Sequence, residues 1–126
     1  MQYYFPGMAV GIILLQSAII APTLIKNLDK EQFKVVIRLL WPKFFLGLVG
    51  IGLGTLVTLL LGDATHPVHW GIAAATITFS LICYLMVPAT NRARDNGDTA
   101  RFNLLHKASV FLTLGTLFAN MAFLFI

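Results

Sequence analysis

His106, Ser109, Thr113, Thr116 and Asn120 recur at spacings of three and four residues towards the carboxyl end of the chain. At 3.6 residues per turn these positions share one face of a helix. Hydroxyl and amide groups on one face can hydrogen-bond to neighbouring helices, or line a path for a neutral solute. A polar seam between helices is the expected role. His106 is the candidate ligand of the set, because imidazole binds haem iron and other metals. The plainer role, an interfacial hydrogen-bonder beside Lys107, is the one expected. A haem held by two histidines needs a second imidazole at similar depth, and His66 and His69 are expected at the opposite end.

A second cluster is Asp63, His66 and His69, at spacings of three residues. Imidazole suits copper and zinc, and carboxylate can complete a zinc site. Met8 and Met121 are expected on the same side and could add thioether ligands to copper. A short polar turn is the competing account, and Pro67 interrupts the local geometry. Gln16 falls near the middle of an apolar run, where an amide needs a partner, and the seam on the last helix is its expected partner. No catalytic residue stands out. The sequence holds no glycine-rich phosphate loop, no HExxH and no GxSxG. The apolar runs carry no Asp, Glu, Lys or Arg at mid-depth, which argues against a proton-driven transporter acting as a monomer. Cys83 is the single cysteine, so an intrachain disulfide is excluded, and a small packing residue is expected there.

The elements that position these residues follow from composition. Of 126 residues, 58% are hydrophobic and 11% charged, and the mean hydropathy is +0.83. Soluble domains carry about a quarter charged residues, and a chain this short has too little interior to hide so much apolar surface. The fold class is therefore all-α: a single integral membrane four-helix bundle. Its spans are expected at about residues 4–25, 44–61, 69–87 and 102–126, close to the ~20 residues that cross hydrocarbon. The first run has no basic stretch before it and is long for a signal peptide, so it reads as a retained membrane helix.

All nine Lys and Arg fall in two stretches, Lys26 to Lys43 and Arg92 to Lys107, and the loop at 62–68 has none. The positive-inside rule then puts the two basic loops in the cytoplasm and both termini on the other side, most simply in a bacterial inner membrane. Membrane lipids, anionic headgroups in particular, are the expected partner of this charge, and nucleic acid is not.

Asp29 with Gln32 forms a capping box. From Lys30 the charges Lys34 and Arg38 occupy one face and apolar residues the other, as in an amphipathic helical segment lying at the interface before the second span. Pro42 is expected to separate it from the span. Pro22 is expected to loosen the end of the first helix. Gly47, Gly50 and Gly54 on the second span, and Gly71 and Ala75 on the third, allow helices to approach closely.

The stretch GIILLQSAIIAPTLIKNLDKEQFKVVIRLLWPKFF, residues 11–45, resembles the first half of the transmembrane protein 205-like family (domain of unknown function 4149). The stretch RFNLLHKAS, residues 101–109, is similar to the start of that family's last helix, with Phe102, Leu105, His106 and Ser109 matching. Thr113 stands where the family pattern has Asn. More distantly, the chain is similar to copper-resistance D-type and HemJ-type four-helix membrane proteins, which brings copper and haem into view as cofactors. The resemblance implies four spans and no settled activity. The expected role is a non-enzymatic packing or accessory subunit, in a homo-oligomer or with other membrane subunits. The alternatives are a copper- or haem-binding protein and a small oligomeric transporter for a neutral solute.

Overall fold

The computed structural model describes residues 2–62 and 66–126. They form four helices, Tyr4–Asn27, Lys30–Leu61, Pro67–Asp95 and Thr99–Phe123, each long and apolar enough to cross a membrane. Among the described residues there is no strand. The first helix packs against the second and fourth, and the third helix closes the ring from the other side against the same two.

Local chemistry sets the helix ends. The Asp29–Gln32 capping box forms as expected: the Gln32 amide donates to Asp29 Oδ1 at 2.8 Å, and the Asp29 amide donates to Gln32 Oε1 at 3.4 Å. Pro67 starts the third helix, where its missing N–H would have had no helical acceptor. Gly97 closes the Asn96–Gly97 turn at φ +71°, a conformation that favours glycine. Asp98 then caps the fourth helix by accepting from the Arg101 amide at 3.1 Å.

Pro42 acts differently from expectation. Pro42 lies inside one continuous helix, so Lys30–Trp41 is not a separate segment but the first turns of the second helix. The third helix likewise runs through Pro88 to Asp95. At 1.5 Å per residue these helices are about 48 and 44 Å long, well beyond the ~30 Å of hydrocarbon. Beyond their prolines the two helices remain paired: Lys34 and Arg38 of the second helix both contact Asp95 of the third. In the first helix, a π-helical turn at Gln16–Ile20 precedes Pro22. Pro22 lacks the N–H that would bond one turn back, and its ring crowds that carbonyl. A widened turn relieves this, and the helix continues to Asn27.

The core has two parts. Ala9, Ile13, Phe44, Phe45, Leu48, Ile51, Cys83 and Leu117 fill the middle and the basic half, with Trp41 beside them. Leu59, Ile72, Ala73 and Phe123 fill the opposite end. Gly52 is the tightest point between helices: a Cβ there would lie 2.7 Å from Ile77 Cγ1 and 3.1 Å from the Ile77 backbone nitrogen.

Candidate functional site

The polar residues of the bundle gather along the seam between the third and fourth helices. On the third helix His69, Thr76, Ser80 and Cys83 are buried, and on the fourth Thr116 and Asn120 are buried. Ser109 and Thr113 are half-buried. The threonines satisfy their own helix. Thr113 Oγ1 donates to the Ser109 carbonyl at 2.7 Å, Thr116 Oγ1 to the Leu112 carbonyl at 2.9 Å, and Thr76 Oγ1 to the Ile72 carbonyl at 2.9 Å. Among the described residues, Asn120 and Cys83 make the hydrogen bonds that cross between the helices here. Asn120 Nδ2 donates to Thr76 Oγ1 at 2.9 Å, and Cys83 Sγ lies 3.8 Å from the Ser109 carbonyl, a weak thiol donation. Along the stripe expected on the fourth helix, Thr116 and Asn120 are buried and His106 is exposed, and the Thr113 and Thr116 hydroxyls go to backbone carbonyls of their own helix.

Gln16 is buried at the start of the π-helical turn, yet its Nε2 finds no hydrogen-bond partner. The expected bond to the fourth-helix stripe is therefore not made by that nitrogen. Ser80 Oγ is in the same state. Thr76, Ser80 and the burial of His69 are additions to the expected site. The signal was present: His69, Thr76, Ser80 and Cys83 recur at intervals of seven, four and three, which is one helix face.

At the end away from the basic loops, Asp63 lies outside the described residues. His66 is exposed and caps the third helix: its Nδ1 accepts from the Val68 amide at 3.1 Å. His69 is only 2% exposed. Its ring stacks on Phe123 with centroids 4.0 Å apart, and Tyr3 meets it edge-on. Neither nitrogen of His69 has a hydrogen-bond partner. The two imidazole centroids are 6.1 Å apart. Among the described residues, no three His, Cys, Asp or Glu side chains gather as a metal-binding group.

At the basic end, His106 is exposed and its ring runs parallel to Phe102, with centroids 5.8 Å apart. The Arg94 guanidinium lies over the other ring of this stack, 5.2 Å from the Phe102 centroid. Asp95, at the tip of the third helix beyond its apolar stretch, is hydrogen-bonded by Arg38 and lies 3.1 Å from Lys34 Nζ. These two partners, Arg38 first, hold its carboxyl below the usual range.

The glycines divide into two groups. Gly52 and Gly54 face neighbours; a Cβ on Gly54 would lie 2.7 Å from the Phe5 ring. Gly47, Gly50 and Gly71 are exposed, with nothing within 4 Å of a Cβ built there. Ala75 is half-buried. Close packing inside the chain thus uses Gly52, which the sequence analysis passed over, and Gly54, but not Gly47, Gly50 or Gly71.

No curated protein and no solved structure matches the chain. Residues 5–99 match the family model described as Domain of unknown function (DUF4149), and the chain belongs to that family.

Proposed function

We propose that this multi-pass membrane protein is a packing subunit that joins a second copy of itself, or another membrane protein, through the outward face of its second helix. The observation that carries the reading is the pair Gly47 and Gly50. Both lack any neighbour within 4 Å of a built Cβ, while Gly52 and Gly54 on the same helix are taken up by contacts within the chain. Without side chains, Gly47 and Gly50 leave backbone open to close approach by another helix, and dispersion and weak Cα–H···O contacts gain from such approach in lipid. Exposed Leu46 and Leu53 flank the glycines and supply apolar surface for the same contact.

The charge distribution supports a cytoplasmic location for the basic end, against anionic headgroups, in a bacterial inner membrane. The sequence resemblance to transmembrane protein 205-like proteins fits a bundle of this kind. It is carried in part by residues 101–109, beyond the residues 5–99 of the family match.

The test is the mass of the protein in mild detergent by light scattering, together with crosslinking in native membranes. The wild type is expected as a dimer or a larger assembly. The double substitution Gly47→Leu with Gly50→Leu should give monomer with an unchanged melting temperature. A wild-type monomer that crosslinks to nothing would end this reading.

A further inference from the structure

We infer that His66 and His69 form a two-imidazole binding site for a copper or zinc ion at the end of the bundle opposite the basic loops. A buried imidazole with both nitrogens unpartnered is costly, because each polar atom has lost water without gaining a bond. His69 is in that state. The nearest imidazole is that of His66, exposed and 6.1 Å away between centroids, with the rings inclined at 58°. Two imidazoles bound to one ion at metal–nitrogen distances of about 2.0 to 2.1 Å have ring centres roughly 5 to 6.5 Å apart. The observed separation is within that span, and exposed His66 is the ring that would turn to share the ion. Stacking on Phe123 holds one of the two rings in place beforehand.

The class of ion follows from the surroundings. His66 and His69 sit at the amino end of the third helix, the positive end of its dipole. That field disfavours any cation, so binding must rest on the ligand lone pairs, and calcium and magnesium, which prefer oxygen ligands, are not suited. Copper and zinc bind imidazole through its nitrogen lone pair and suit this site. Water would complete the coordination on the exposed side.

Binding has a structural consequence. A neutral imidazole has one acceptor nitrogen, and in His66 that nitrogen, Nδ1, accepts from the Val68 amide. An ion on Nδ1 displaces this bond. An ion on Nε2 requires the proton to move to Nδ1, which also ends it. In either case the helix cap opens as the ion binds.

The experiment is titration of the full chain in detergent with copper(II) alone, followed by electron paramagnetic resonance and amide hydrogen exchange. One ion per chain is expected, with splitting from two nitrogens and faster exchange at Val68. His66→Ala removes an exposed ring, and His69→Phe keeps the aromatic stack. Each should weaken binding by roughly tenfold or more, while His106→Ala should leave it unchanged. Three results overturn the site: binding unaffected by both substitutions, loss with His66→Ala alone, or binding no stronger than that of the double variant.

Discussion

Asn120 ties the fourth helix to the third through a single amide: its Nδ2 donates to Thr76 Oγ1 at 2.9 Å and to the Thr116 carbonyl of its own helix at 2.8 Å. Both contacts are buried. Replacing Asn120 by Leu removes the cross-helix bond but leaves Thr76 its bond to the Ile72 carbonyl. The expected loss is that of one interhelical hydrogen bond in a membrane protein, about 0.6 to 1.7 kcal/mol. Thr113→Val is the contrast, since that hydroxyl donates to the Ser109 carbonyl of its own helix and meets only the weak Cys83 thiol across the seam; its effect should stay within about 0.5 kcal/mol. Unfolding in mixed micelles of the two variants checks the difference.

That relationship also marks how far the sequence could be read. The four helices were legible because apolar runs of spanning length have few other solutions. The face carrying Thr116 and Asn120 was legible from period alone. Its partner was not: spacing on one helix says nothing of which neighbour lies opposite, and Thr76 was identified only by three-dimensional packing. Pro42 shows the same limit from the other side. Proline favours a break, but the helix runs on through Pro42, and Lys34 and Arg38 of that helix meet Asp95, a contact between residues 57 or more positions apart that no local pattern reveals. Gly47, Gly50 and Gly54 are the expected points of close approach, whereas the tightest contact falls on Gly52, because contact depends on the direction of the third helix.

Gln16 carries a prediction of opposite sign to that for Asn120. Its buried Nε2 bonds to nothing, so the amide contributes desolvation without compensation. Gln16→Met keeps the length of the side chain and removes the unpaired donor. Stability in detergent should be unchanged or higher by up to about 1 kcal/mol. A marked loss in native membranes but not in detergent would mean that another membrane component bonds this amide.

Asp95 gives a pH dependence. Its carboxyl is held below the usual range, chiefly by its hydrogen bond to Arg38 and then by that to Lys34. A depressed folded-state value means that the unfolded chain takes up the proton first as pH falls. The contribution of this clip is therefore complete at pH above the ordinary carboxylate range. It declines below that range and is gone once pH passes under the lowered folded value. The groups are exposed, so the effect is small and weakens with salt. Asp95→Asn should lack this part of the acid-side slope at low ionic strength. An identical slope in the two proteins would show that the clip adds nothing to stability.

The glycines of the second helix separate folding from assembly. Gly52→Ala places a methyl group 2.7 Å from Ile77 Cγ1 and 3.1 Å from a backbone nitrogen. A side chain can rotate away, but backbone cannot, so the second and third helices must part. Overpacking of this kind costs about 1 to 3 kcal/mol. Gly50→Ala meets no atom within 4 Å, and alanine is the better helix former by about 1 kcal/mol. The isolated chain should therefore be as stable as the wild type or more so. If Gly50 packs against a partner helix, the same methyl group pushes the two backbones apart and weakens the assembly. Measuring melting temperature and oligomer mass on both variants distinguishes the two effects: Gly52→Ala should lower the first, and Gly50→Ala should lower only the second.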